Sequence, residues 1–141
     1  MSAPQVLLQA ECRRQNRPGR WHFAIRTADG CPQIDVEDDE PDVHGERLEL
    51  LTVVRGLEAL DRPAQVTLET TSSYVRRGIN YGLNAWRETN WRWERHGEMV
   101  PVKNGDLWRR LDRALQVHNV TCRLIPADPI HPNLPPKTTL N

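Results

Sequence analysis

Apolar and polar residues recur at a period of two in the first third of the chain, which predicts strands there. Residues 6–9 form a short apolar run, and residues 21–26 form a second extended segment after the turn-like sequence Asn16-Arg17-Pro18-Gly19. Residues 33–37 then alternate polar with apolar positions, as a half-buried strand does. We therefore expect two hairpin strands followed by a third strand.

Helical periodicity begins at residue 46. Apolar residues recur there at steps of three to four as far as residue 60, which predicts an amphipathic helix, and the β-branched run over 65–70 predicts a fourth strand. Ser72 or Ser73 can cap a helix that runs to about residue 88. A further helix over 106–117 and a last strand over 120–125 complete the order β-β-β-α-β-α-α-β, which predicts a mixed five-stranded sheet.

Prolines separate the C-terminal residues from this pattern. A regular helix is excluded where so many backbone donors are missing, at Pro126, Pro129, Pro132, Pro135 and Pro136. We expect one domain over residues 1–125, of a size that can fold alone, and an extended or disordered tail over 126–141.

Charge divides the chain although its net charge is zero. Residues 29–46 hold eight acids and no Lys or Arg, whereas residues 76–113 hold nine bases against five acids. The neutral total does not favour a nucleic-acid binder, but the basic segment could contact phosphates. Solvated surface charge explains both segments equally well.

Other compositional features narrow the class of protein. No stretch approaches the roughly 20 apolar residues of a membrane span, and no amino-terminal signal peptide is visible. The odd, widely spaced cysteines Cys12, Cys31 and Cys122 match no zinc or redox motif. We expect reduced thiols in a cytoplasmic protein.

Three segments resemble bacterial type 1 ribonuclease H. Residues 46–50, E-R-L-E-L, are similar to the family's N-R-x-E-L, and residues 70–75, T-T-S-S-Y-V, to its T-D-S-x-Y-V. Residues 101–108, P-V-K-N-G-D-L-W, resemble its P-V-K-N-x-D-L-W and are the most specific of the three. The resemblance covers residues 6–125 and implies the RNase H-like α/β fold, with helices on both faces of the sheet.

The resemblance also implies a two-metal phosphodiesterase site, in which four carboxylates hold two magnesium ions about 4 Å apart. The helix glutamate is kept as Glu49. The first-strand aspartate falls on Ala10 and the second-strand aspartate on Thr71, so neither position carries a charge. The fourth carboxylate belongs to a final helix that residues 126–133 do not match.

Compensation for these losses stays open at four positions: Glu11, Glu69, Asp128 and His131. Glu11 lies one residue from Ala10, and neighbours on a strand point to opposite faces. Glu69 shares the face of Thr71 at roughly 6 to 7 Å. A histidine in a proline-rich tail is most often an ordinary surface residue. Glu49 itself could be an ordinary helix-surface glutamate.

The features that the resemblance implies for nucleic-acid binding are better preserved than those for metal binding. Residues 86–95 lie where bacterial members of the family carry a protruding handle that grips DNA. Phosphates suit Arg, Lys and helix amino termini, and sugars or bases suit aromatic faces. The candidate contacts are Asn16, Ser73, Trp86, Arg87, Trp91, Arg92 and Lys103. Trp86 and Trp108 stand at helical spacing, which favours core packing, whereas we expect Trp91 and Trp93 to be exposed.

These observations predict a catalytically inactive RNase H-like domain that binds an RNA/DNA hybrid or other nucleic acid weakly. One alternative is an active hybrid ribonuclease with rearranged ligands, which alone would need magnesium. The other alternative is a protein-interaction scaffold that uses the acidic segment over 35–42 to bind an unidentified protein. We expect no cofactor in the inactive protein and no contact with a membrane.

Overall fold

Seven strands and four α-helices follow one another in the computed structural model, which describes residues 3–13, 19–27 and 32–126. The first half comprises β1 Gln5–Arg13, β2 Gly19–Thr27, β3 Pro32–Glu40, α1 Gly45–Glu58 and β4 Gln65–Thr70. The second half comprises α2 Ser73–Arg77, a π-helical segment Gly78–Gly82, α3 Leu83–Glu88, β5 Arg92–Arg95, β6 Glu98–Pro101, α4 Gly105–Val117 and β7 Asn119–Leu124.

The main sheet has five strands in the order β3-β2-β1-β4-β7. The pairs β1–β2 and β2–β3 are antiparallel, and the pairs β1–β4 and β4–β7 are parallel. Hairpins account for the antiparallel pairs and helical crossovers for the parallel ones. The predicted mixed sheet is confirmed, because its strands are connected as the element order requires.

Among the described residues one hydrophobic core lies between this sheet and α1, with α2 and α4 packed beside α1. Alternate residues of β1 are buried there, and Leu8 lies so close to Gly56 that a Cβ on the glycine would come within 2.8 Å of it. Trp108 of α4 is fully buried against Gly78. The predicted α/β fold, a mixed sheet with helices packed on it, is confirmed.

The opposite face of the sheet is polar. Arg20 pairs with Glu37 at 2.9 Å and with Asp39 at 3.0 Å, and His22 pairs with Asp35 at 2.8 Å. These contacts cross from β2 to the acidic edge strand β3, where charge disfavours pairing with another sheet. Asp35, Glu37 and Asp39 therefore pair with cations within the chain, and the scaffold alternative stays a prediction.

Two elements differ from the sequence prediction. The helix expected to run from Ser72 to residue 88 is divided by the π-helical segment, where Gly78 accommodates Trp108. The hairpin of β5 and β6 was not predicted. Its four-residue strands show no apolar alternation, and its turn is made by His96 and Gly97, both with positive φ.

The remaining expectations concern cysteines and membranes. Cys12 and Cys122 are thiols, and burial raises the pKa of Cys122 to about 11. Cys31 lies outside the described residues, as does the tail beyond Pro126. Among the described residues no helix is long and apolar enough to cross a membrane.

Candidate functional site

The strand ends of β1 and β4 meet the first turns of α1 at a small cavity, which we call the strand-end site. Seven residues line it: Ala10, Glu11, Cys12, Glu49, Thr70, Thr71 and Ser72. The three positions that the resemblance assigned to carboxylates, Ala10, Glu49 and Thr71, therefore do come together. Glu11, one of the four compensation candidates, lies with them.

Parallel pairing fixes which strand residues face each other at this site. Ala10 of β1 lies opposite Thr70 of β4, and both side chains are buried, with 4% and 2% of their surface exposed. Glu11 and Thr71 follow one residue later and are exposed. The register thus brings Glu11, and not Ala10, beside Thr71.

Glu49 is 92% buried and accepts a hydrogen bond of 2.6 Å from the Ser72 hydroxyl. The same hydroxyl oxygen accepts from the backbone N–H of Val75 and so caps α2, while the Ser72 N–H donates to the Thr70 hydroxyl. Through these contacts Glu49 ties α1 to the start of α2.

The donor set does not fit the two-metal site that the resemblance implies. Thr71 offers a neutral hydroxyl, and two carboxylates, Glu11 and Glu49, are fewer than two magnesium ions require. Glu69 accepts from the Gln9 amide at 3.1 Å and pairs with Arg123 at 3.3 Å. Within the described part of the chain, no three His, Cys, Asp or Glu side chains form a metal-binding group.

The tail candidates and one turn candidate cannot be placed at the site. Asp128 and His131, two of the four positions at which compensation stays open, lie outside the described residues. Asn16, expected to contact nucleic acid from the turn after β1, also lies outside them. Their suggested roles stay predictions.

In the handle-like stretch, Arg87 and Trp86 hold the helices together. The Arg87 guanidinium donates to the buried Asp112 of α4, with its Nε at 2.8 Å, and this partner raises the pKa of Arg87. Trp86 is half-buried over Gly82 and packs against Trp108, as its helical spacing suggested. Both residues were also candidates for nucleic-acid contact, and their contacts here are internal.

The expectation that Trp91 and Trp93 are exposed is wrong. Both are half-buried and pack edge-to-face or tilted against Trp86, because the hairpin of β5 and β6 folds back over α3. The Arg109 guanidinium lies over the Trp91 ring, 5.3 Å from its centre. An arginine distant in sequence therefore covers part of the Trp91 ring.

Four of the described candidate contacts are exposed, namely Ser73, Arg87, Arg92 and Lys103, and of these Arg87 is engaged with Asp112. Ser73 is the first residue of α2, and Lys103 lies in the turn before α4. Arg92 donates one guanidinium N–H to the Met99 carbonyl across the hairpin. The role of these exposed groups in binding nucleic acid stays a prediction.

A second polar cluster, the Tyr74 network, was not identified from the sequence. The Tyr74 hydroxyl accepts hydrogen bonds from the Asn104 amide at 3.0 Å and from the Trp108 indole at 2.9 Å. Arg47 donates to the Asn104 side chain and, with two nitrogens, to Asp106, which lowers the pKa of Asp106. The network could have been identified from the sequence, because each of these residues matches a position in one of the three family motifs.

Sequence comparisons with known proteins identify the family that this chain resembles. A family model for RNase H matches residues 7–134 and so continues past residue 125. The ribonuclease H of Hydrogenovibrio crunogenus is 38% identical over 121 residues, which cover 86% of this chain and 80% of that protein.

Two solved structures show the same fold. LC9-RNase H1, a type 1 RNase H with the type 2 active-site motif, superposes with a TM-score of 0.73 at 23% identity over 92% of this chain and 66% of that chain. LC11-RNase H1, solved with an RNA/DNA hybrid, superposes with a TM-score of 0.64 at 11% identity over 86% and 85%. The chain therefore belongs to the RNase H family and has the fold of the type 1 members.

Proposed function

We propose that this domain binds RNA/DNA hybrids weakly and does not cleave their RNA strand by the two-metal route. The observation that carries the proposal is the strand-end site, where Thr71 replaces a carboxylate and Glu49 is engaged with Ser72. Magnesium keeps octahedral oxygen ligation and is held poorly by few carboxylates. A family member with this donor set loses the charge that cleavage needs while keeping the fold.

The binding half of the proposal is supported by the exposed cations near α4. Arg92 and Lys103 stand on the hairpin and on the turn that follows it, so both can approach one phosphate backbone. Ser73 at the start of α2 offers a hydroxyl. A related fold, LC11-RNase H1, is known in complex with an RNA/DNA hybrid. Because only two of these candidate contacts are cations, we expect weak binding, with an affinity that falls as salt rises in proportion to the number of phosphates neutralised.

The direct test is a cleavage assay on a labelled hybrid with magnesium or manganese, beside a binding titration at several salt concentrations. We expect no cleavage above the buffer rate and an affinity that falls as the salt concentration rises. Arg92→Ala and Lys103→Ala should each weaken binding and lower the salt slope by about 1. Arg62→Ala removes an exposed cation from the loop before β4 and is the matched control.

Each part of the proposal can fail separately in this assay. Cleavage that requires the metal contradicts the inactive site, whereas the absence of binding at low salt contradicts the hybrid-binding surface. Equal effects of Arg62→Ala and Arg92→Ala would contradict the location of that surface, because binding would then depend on charge alone.

An active ribonuclease with rearranged ligands is the second candidate, and the position of Glu11 favours it. Glu11 lines the same cavity as Glu49, so the site holds two carboxylates rather than one. If this candidate is correct, metal-dependent cleavage should be abolished by Glu11→Gln and by Glu49→Gln. Magnesium would then be a cofactor, and we propose none otherwise.

A further inference from the structure

We infer that Asn104 is a site of spontaneous deamidation in this chain, and that the Tyr74 network sets the rate of the reaction in the folded protein. Asn104 and Gly105 form the chain's single Asn-Gly pair, since none of the other asparagines precedes a glycine. Glycine has no Cβ, so nothing obstructs attack by its own backbone nitrogen on the preceding side chain. This chemistry belongs to the chain itself and does not depend on the proposed function.

The reaction is an intramolecular ring closure followed by hydrolysis. The Gly105 backbone nitrogen attacks Cγ of Asn104, and the new C–N bond forms as the bond between Cγ and Nδ2 breaks. Ammonia leaves with the proton that the Gly105 nitrogen gives up, and a succinimide ring remains. Water then opens the ring at either carbonyl, which gives aspartate or isoaspartate. Water is therefore the one co-reactant.

The folded backbone holds Asn104 in a conformation that opposes ring closure. Its φ is 60° and its ψ is 25°, in the left-handed region. At this ψ the Gly105 nitrogen is turned away from Cβ of Asn104, whereas the five-membered ring closes only when the two atoms are nearly eclipsed about the Cα–C bond. The Gly105 N–H also donates to the Val102 carbonyl at 3.0 Å, which hinders loss of its proton.

Hydrogen bonds of the Tyr74 network hold the Asn104 side chain as well. Its Nδ2 donates to the Tyr74 hydroxyl at 3.0 Å, and its Oδ1 accepts from Arg47 at 3.2 Å. The Asn104 carbonyl accepts from two backbone N–H groups of α4, each at 3.0 Å. Cγ can approach the Gly105 nitrogen only after these bonds open, so the reaction passes through local unfolding at the start of α4.

The fold does not require a glycine at position 105, and this gives a matched control. The φ of Gly105 is not positive, and the nearest atom to a Cβ built on it is Cβ of Val102, at 4.0 Å. Gly105→Ala should therefore fold with at least the stability of the unmodified protein, because alanine favours a helix. Its methyl group obstructs ring closure.

Deamidation changes the charge at the start of α4. A carboxylate at position 104 lies next to the exposed Lys103, and Arg47 then faces it together with Asp106. The positive potential around Lys103 falls, and the consequence for hybrid binding rests on the proposed function.

Peptide mapping by mass spectrometry tests the site on the full chain at mildly alkaline pH. In guanidinium chloride, Asn104 should deamidate at least tenfold faster than any other asparagine, and Gly105→Ala should remove this excess. In the folded protein, the Asn104 reaction should be at least tenfold slower than in the denaturant. Similar rates at all asparagines of the unfolded chain overturn the site. Equal rates in the folded and unfolded chains overturn the protection.

Tyr74→Phe tests the network directly. It removes the hydroxyl that accepts from Asn104 and Trp108, so the reaction in the folded protein should be at least threefold faster, at roughly one lost hydrogen bond. Tyr81→Phe, at a tyrosine that is 72% exposed, is the control and should leave the rate unchanged.

An unchanged rate in folded Tyr74→Phe overturns the role of the network. Should Tyr74→Phe fail to fold, Arg47→Met makes the same comparison, because it removes the donor to Oδ1 of Asn104. Thermal unfolding of each variant establishes that its rate belongs to the folded state. None of these outcomes depends on cleavage or on nucleic-acid binding, so the inference and the proposed function fail separately.

Discussion

The strand-end site and the Tyr74 network both draw residues from the segments that resemble the family motifs. They differ in how many of the family's residues they keep. Arg47, Tyr74, Asn104, Asp106 and Trp108 each match a motif letter, and together they form a continuous set of hydrogen bonds. The strand-end site includes residues from two of those segments, yet its second-strand aspartate is replaced.

The two sets of side chains differ in what the loss of one member costs in stability. A buried network that loses one member leaves unsatisfied polar groups, at a cost of about 1–3 kcal/mol each. Removing a carboxylate from a cluster of acids carries no such penalty, since it relieves repulsion between like charges. A domain selected only for its fold would keep the first set of residues and lose the second.

The largest expected effect comes from removing the centre of the network. Trp108→Ala deletes a fully buried side chain that packs on Gly78 and donates to Tyr74, so we expect a loss of roughly 3–5 kcal/mol in unfolding free energy. Chemical denaturation measures it. Tyr81→Ala, at a side chain that is 72% exposed, is the control and should change little.

A smaller effect is expected at the ion pair between α3 and α4. Arg87→Ala leaves the buried Asp112 carboxylate without its guanidinium, which should cost about 1–2 kcal/mol, since Arg87 itself is partly exposed. A double-mutant cycle with Asp112→Ala should recover part of that loss. Additive losses would instead show that the two side chains act separately.

The fold was largely predictable because periodicity reports which face of each element is buried. Strong apolar patterns at residues 48–57 and 65–70 identified α1 and β4, whereas β5 and β6 carry mostly charged residues and left no pattern. The internal partners of Arg87 and Trp91 depend on tertiary contacts that no local pattern encodes. Ala10 and Glu11 could be distinguished only once the β1–β4 register was known.

Substitution of Glu49 distinguishes a structural carboxylate from a metal ligand. Glu49→Gln keeps an oxygen that can accept from Ser72, so stability should change by less than about 0.5 kcal/mol. Glu49→Ala leaves the Ser72 hydroxyl without this acceptor and should cost about 1–2 kcal/mol. Equal losses in the two variants would show that the charge of Glu49, rather than its hydrogen bond, stabilises the site.

The smallest effect concerns pH and lies away from both regions, at His118. This side chain is buried at the end of α4, where its Nδ1 accepts from the Ala64 backbone N–H, and burial lowers its pKa from the usual 6.5. The unfolded chain therefore binds a proton at a higher pH than the folded chain does, and the resulting stability is complete above pH 6.5.

As pH falls below that value, protons bind first to the unfolded chain, so Tm should decline toward the lower folded pKa of His118. The pairs of Asp106 with Arg47 and Glu58 with Arg110 lower the pKa of both carboxyls, so their stabilisation is lost only at more acidic pH. Thermal unfolding between pH 8 and pH 5 isolates the histidine, with His118→Gln as the variant and His96→Gln, on the exposed hairpin turn, as the control. If the Tm of the His118→Gln protein depends on pH as the Tm of the unmodified protein does, then titration of the buried His118 is not the cause of that dependence.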